Sequence, residues 1–149
     1  MKPDIENLKL ILTNFLNDKN YHFLDQNIRT NKVITNYTSY EVQFESLDYK
    51  RVVSLRVTDY YTHQRVFINL YNRDGKGHYS IPLDTYLEDY CNVKNASDLM
   101  LLDQYEGGSV DEKVSSFFTT IKAKLDARFF KILTGRDWIE IPTDWHGYK

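Results

Sequence analysis

Apolar residues first recur at helical spacing. Ile5, Leu8, Leu12, Phe15 and Leu16 carry the stripe, with Lys9, Thr13 and Asn17 between them. This spacing predicts an amphipathic helix capped by Asp4, whose short carboxylate can accept from the open N–H groups of a first turn, and ending near Asp18-Lys19-Asn20. Residues 21–32 are mixed and polar and read as a connection, with some packing by Tyr21 and Phe23. The period then changes to two. Tyr40, Val42 and Phe44 alternate with Glu41, Gln43 and Glu45. Val53, Leu55 and Val57 alternate with Ser54, Arg56 and Thr58, and Val66, Ile68 and Leu70 with Arg65, Phe67, Asn69 and Tyr71. Such alternation buries one face of each strand. The links between them, around Asp48-Tyr49-Lys50 and Tyr60 to Gln64, are too short for parallel crossovers and predict antiparallel neighbours. Val33 to Tyr37 can add a strand in front. Asp74-Gly75 signals a turn, Gly77 is a second flexible point, and Tyr79-Ser80-Ile81 reads as a short last strand.

Helical signals return after Pro82. Asp84 can cap a short helix carrying Leu87, Tyr90 and Cys91, and Asp98 another through Leu99 to Leu102. Gly107-Gly108 breaks the chain, and Ser109-x-x-Glu112 has the form of a capping box. Behind it Val114, Phe117, Phe118, Ile121, Leu125, Phe129, Ile132 and Leu133 predict one long helix of about two dozen residues ending at Gly135. Trp138, Ile139, Ile141, Pro142 and Trp145 predict a strand or docked extension. The order is helix, antiparallel meander, helices. It predicts an α+β fold: one domain over residues 1–149, a single antiparallel sheet of about four to five strands, and the N-terminal and C-terminal helices packed on one face. The row Val42, Phe44, Val53, Leu55, Val57, Val66, Ile68 and Leu70 needs that cover, since each such side chain gains about 1.5–3 kcal/mol on burial.

Composition narrows the classes of function. The 149 residues are 42% hydrophobic and 15% aromatic, too apolar for intrinsic disorder, and the net charge of −2 is too even for a polybasic arm. No apolar run is long enough to span a bilayer. The start, Met1-Lys2-Pro3-Asp4-Ile5-Glu6, has no apolar core after its lysine and predicts no secretory signal. A lone cysteine, Cys91, excludes a disulfide framework and a multi-cysteine zinc site, so a cytoplasmic location is expected.

Signs of chemistry are sparse. His22, His63, His78 and His146 lie far apart in sequence and fit no metal-ligand spacing; His63 and His78 sit near strand ends, where they could meet. Cys91 follows Glu88, Asp89 and Tyr90, which would raise rather than lower its pKa. Gly75-x-Gly77 lacks the rest of a phosphate loop, and no G-x-S-x-G occurs. Glu41 and Glu45 share a strand face about 13 Å apart, too far for a glycosidase pair. No catalytic residue, metal site or cofactor is therefore assigned.

Charge segregation is the strongest feature outside the core. From Asp84 to Glu112 eight acids face only Lys94, a net −7, whereas from Lys113 to Arg136 six bases face only Asp126, a net +5. Helix dipoles account for part of this, and the two segments could pair with each other. Read functionally, Asp84, Tyr86, Glu88, Asp89, Tyr90, Asp103, Tyr105 and Glu106 form an acidic, aromatic face for a basic protein partner. Lys124, Arg128 and Lys131 share a helix face, but no DNA-reading motif accompanies them, so no nucleic-acid partner is expected.

The run Tyr40-x-Val42-x-Phe44, Val53-x-Leu55-x-Val57-x-Asp59 and Val66-x-Ile68-x-Leu70, set between an amphipathic helix and an acidic helical region, resembles the small cytosolic immunity proteins of bacterial interbacterial-toxin systems. The likeness covers roughly residues 5–133 and lies in size, element order and surface character. It implies a non-enzymatic inhibitor that binds and blocks a cognate toxin domain, often a basic nuclease. A monomer or homodimer is expected. Two other readings stand beside it. One is a small enzyme or ligand-binding domain with a pocket between sheet and helix, lined by Tyr37, Tyr40, Phe44, His63 and Tyr79. The other is a structural subunit joined through its aromatic sheet face or its Trp138 to Trp145 tail.

Overall fold

The computed structural model describes residues 2–32, 36–75 and 79–139. Helix α1 spans Ile5–Leu16 and is followed by five strands, β1 (His22–Asn31), β2 (Tyr37–Ser46), β3 (Arg51–Asp59), β4 (Gln64–Asn72) and β5 (Ser80–Pro82). Helices α2 (Leu83–Tyr90) and α3 (Ala96–Leu99), a 3-10 turn at Leu102–Gln104, and helices α4 (Val110–Lys122) and α5 (Ala127–Leu133) complete the chain. The strands form one open antiparallel sheet in sequence order, β1-β2-β3-β4-β5. This is the expected α+β meander.

One face of the sheet carries the core. Val42, Phe44, Val53, Leu55, Val57, Val66, Ile68 and Leu70 are all buried and join Leu8, Leu12, Phe15, Phe117, Ile121, Phe129 and Ile132 from the helices in one cluster. The opposite face is floored by small residues. Ser54 and Thr58 of the central strand are buried there beneath longer neighbours, and Ser39 bonds Thr58 hydroxyl to hydroxyl at 3.0 Å.

Asp4 caps α1 as expected, accepting from the Glu6 amide at 2.9 Å. The reciprocal bonds of the capping box also form at α4: Glu112 N donates to Ser109 Oγ and Ser109 N to Glu112 Oε1, each at 3.1 Å. A Ser109→Ala variant is expected to lose about 1 kcal/mol of stability, measured by urea titration.

Three features differ from the sequence reading. Residues 22–31 are a full strand, not a connection. β1 is the sheet edge and its side chains are almost all exposed, so it shows no alternation. The long C-terminal helix is two helices: α4 closes at Ala123, and Asp126 caps α5, accepting from Phe129 N at 3.1 Å. The apolar stripe keeps its spacing across this break, which hides it. Pro82, not Asp84, occupies the N-cap of α2, and α3 starts before Asp98. The chain leaves α5 through Gly135 at φ +73°, where a Cβ would sit 2.9 Å from the Tyr49 carbonyl oxygen, so glycine is required. Ile139 is buried, whereas Ile141, Pro142 and Trp145 lie outside the described residues, as do Val33, Gly77, His78 and His146.

Candidate protein-binding surface

The acidic segment wraps the edge of the sheet formed by β4 and β5. Helix α2 packs on both strands, and the stretch after it is stitched down by backbone groups. Val66 N donates to Met100 O at 2.8 Å, and Arg65 pairs with Leu101 in an isolated bridge. An Arg65 guanidinium nitrogen donates to Ser97 O at 2.9 Å. Ala96 N donates to Glu88 Oε1 at 3.0 Å, Tyr105 Oη to Leu99 O at 2.8 Å and Ser116 Oγ to Glu106 O at 2.9 Å. The segment has little regular structure, yet hydrogen bonds fix it against β4 and α4.

The eight acids divide by use. Asp111 accepts from Asp4 N and from Asn7 Nδ2, which ties α4 to the start of α1. Glu112 belongs to the capping box, and half-buried Asp84 accepts from Thr85 N. Glu88, Asp89, Asp98, Asp103 and Glu106 are exposed, and of these Glu88 also accepts the Ala96 N–H. The ion pairs Lys9–Glu6 and Arg73–Glu45 lie outside both the acidic segment and the basic one. Asp98 and Asp103 line an open depression with His63, Arg65, Leu101 and Gln104.

The tyrosines expected on this face lie deeper than the acids. Tyr86 is only 1% exposed. It stacks on Tyr90 and donates its hydroxyl to Asp126 Oδ1 at 2.6 Å. Burial, then the bond to Asp126, raises its pKa. Half-buried Tyr105 packs edge-on against Phe117, and burial pushes its hydroxyl up to about 12. Tyr90 is half-buried beneath the Arg128 guanidinium. The surface is thus carboxylates over a tyrosine layer that braces α2 and α5, with Tyr90 between the two. Burial also raises the Cys91 thiol; among the smaller effects an Asp126 backbone hydrogen bond opposes it and the Asp126 charge adds to it.

The residues of the pocket expected between sheet and helices do not converge. Tyr40 and Phe44 are core residues, Tyr79 is exposed, and His63 stacks on Tyr60 at 5.0 Å with Tyr37 beside that ring. Among the described residues no group of three or more His, Cys, Asp or Glu is placed to hold a metal ion, and no helix is long and apolar enough to cross a membrane.

A notch does open on the outer sheet face, lined by Asn27, Arg29, Tyr37, Ser39, Glu41 and Arg56. Glu41 and Arg56 are register partners, yet they turn apart. Glu41 accepts from Ser54 Oγ at 2.7 Å, and Arg56 lies 4.4 Å over the Phe67 ring with its Nε buried and unpartnered among the described residues. Two guanidiniums and a carboxylate in one notch select neither anions nor cations. No sequence signal marked it, because strand register is what assembles it. No family model matches the chain, and no curated protein or solved structure matches it.

Proposed function

We propose that this chain is a non-catalytic protein-binding module of the immunity type, which occludes a basic partner domain with the surface built on residues 84–106. The observation that carries the reading is a set of exposed carboxylates on an immobilised segment. Among the described residues, Glu88, Asp98, Asp103 and Glu106 have no ionic partner, although exposed bases are present on α4 and α5. A segment already held by backbone hydrogen bonds loses little conformational entropy on docking. Its summed negative field speeds encounter with a basic surface.

The test asks whether the gene beside this one encodes a basic toxin domain and, where it does, titrates that domain with the full chain. Complex formation is expected, with an association rate that falls steeply with ionic strength. The triple variant Asp98→Lys, Asp103→Lys and Glu106→Lys is expected to slow association by about 10-fold or more. An association rate indifferent to both salt and charge reversal would remove this surface from the reading. Absence of any complex with a basic toxin domain would remove the immunity role.

A further inference from the structure

The strand order places β1 at the edge opposite the acidic segment, and that edge is open. β1 spans His22–Asn31, and only Asn27 along it is even half-buried. Ile28 is 56% exposed, and Phe23 and Leu24 are exposed nearer the start of the strand. The Gln26 amide donates to the neighbouring Asp25 Oδ1 at 2.8 Å. That N–H therefore points away from β2, and by the alternation of an antiparallel ladder so do those of Ile28 and Thr30. A regular, exposed edge of this length is a template for another strand. The register irregularity between Phe23 and Asp25 disturbs only its first turnward end.

We propose that the occupant of this edge is a second copy of the chain, joined β1 to β1 about a twofold axis through Asn27, to give one continuous sheet across the pair. Charge selects the register. Asp25, Asn27 and Arg29 share the outer face, since they pair with Gln43, Glu41 and Ser39 of β2. An axis at Asn27 sets each Asp25 opposite the second copy's Arg29, twice by symmetry. An axis at Gln26 or Ile28 forms no such pair, and one at Arg29 or Asp25 sets like charges face to face. In the chosen register Gln26 and Ile28 exchange the outward hydrogen bonds. Asp25 and Arg29 then occupy the non-hydrogen-bonded positions, where opposed side chains come closest. The Gln26 amide exchanges its bond to Asp25 for one to the second copy, which releases the carboxylate for Arg29. The two acidic surfaces remain at the far ends of the double sheet.

One edge pairing buries less than a standard interface, so the dissociation constant is expected on the order of tens to hundreds of micromolar. Sedimentation equilibrium of the full chain should show a concentration-dependent rise from 17.7 kDa to twice that mass. Asp25→Arg and Arg29→Asp should each weaken association by about 10-fold or more, and the double variant should restore it. Ile28→Pro deletes an outward amide without touching the β1–β2 ladder and should abolish the dimer while leaving the circular dichroism spectrum unchanged. A chain that stays monomeric up to about 1 mM overturns the proposal. So does a dimer indifferent to both charge variants and to Ile28→Pro, because the association then uses another surface. Pairing of β1 with a strand of a different protein while the chain alone stays monomeric overturns it as well.

Discussion

Arg51→Met is expected to destabilise the protein by about 3 kcal/mol, which corresponds to a fall in Tm of roughly 6–12 °C for a chain of this size. Arg51 opens β3 and is 2% exposed. Its Nε donates to Ile132 O at 2.9 Å, one terminal nitrogen to Asn72 Oδ1 at 2.7 Å, and the other to Asp137 O at 2.6 Å. Tyr49 and Lys50 carbonyls accept further bonds, and the Trp138 ring lies 4.8 Å from the guanidinium carbon. One side chain thus joins the sheet to the C-terminal end of α5 and to the segment after it. Burial lowers its pKa, with Asp74 and Tyr21 acting in the opposite direction, but an arginine stays protonated in proteins. Methionine keeps much of the volume and leaves the carbonyls of Ile132 and Asp137 without their donor. Arg51→Lys should recover only a small part of the loss, because a point charge cannot span acceptors that a planar fork reaches together. Equal stability for wild type, methionine and lysine variants in thermal denaturation would show that the fork holds nothing together.

The sequence revealed the parts of this fold that have one wet face and one dry face. β2, β3, β4 and α1 each combine a buried stripe with a polar one, and their period survives in the residues themselves. β1 does not, because an edge strand with both faces exposed is under no pressure to alternate, and its polar run HFLDQNIRTN reads as a loop. The division between α4 and α5 was hidden for a different reason. Ile121, Leu125 and Phe129 keep helical spacing through a turn that backbone bonds to Ile121 O close and after which Asp126 caps a new helix. Nothing in the sequence marked Arg51; only the arrival of α5 and the segment after it makes it a buried hub. On the candidate surface the acids stood out through segregation. Which of them are occupied was settled by contacts from distant segments, such as Asn7 on Asp111. Tyr86 could not be told from an interface tyrosine, since its use depends on Asp126, forty positions away.

Raising the pH from 10 to 12 is expected to unfold the protein cooperatively, with buried tyrosines as the cause. Tyr21 donates to Leu133 O at 2.6 Å, Tyr86 to Asp126 Oδ1 and Tyr105 to Leu99 O. Burial is the first cause in all three, and it raises every one of these pKa values: that of Tyr105 to about 12, those of Tyr21 and Tyr86 further. An unfolded tyrosine ionises near 10. Below that pH both states hold the proton and the stability of the fold is complete. Above it the unfolded chain releases protons that the folded one retains, so stability is lost as pH rises. Each such group contributes up to about 1.4 kcal/mol per pH unit, and three together about 4 kcal/mol per unit, against a total of roughly 5–15 kcal/mol for a protein domain. Urea denaturation at stepped pH should show this slope beginning near pH 10. The tyrosinate absorbance of Tyr21 and Tyr86 should appear only with unfolding, and that of Tyr105 only toward pH 12. Tyr86→Phe is expected to cut the slope by about a third. It also lowers the neutral-pH stability by about 1 kcal/mol through the lost bond to Asp126. Because slope and intercept are measured separately, the two effects do not mask each other. Full tyrosine titration near pH 10 in a protein that stays folded would contradict the burial of all three.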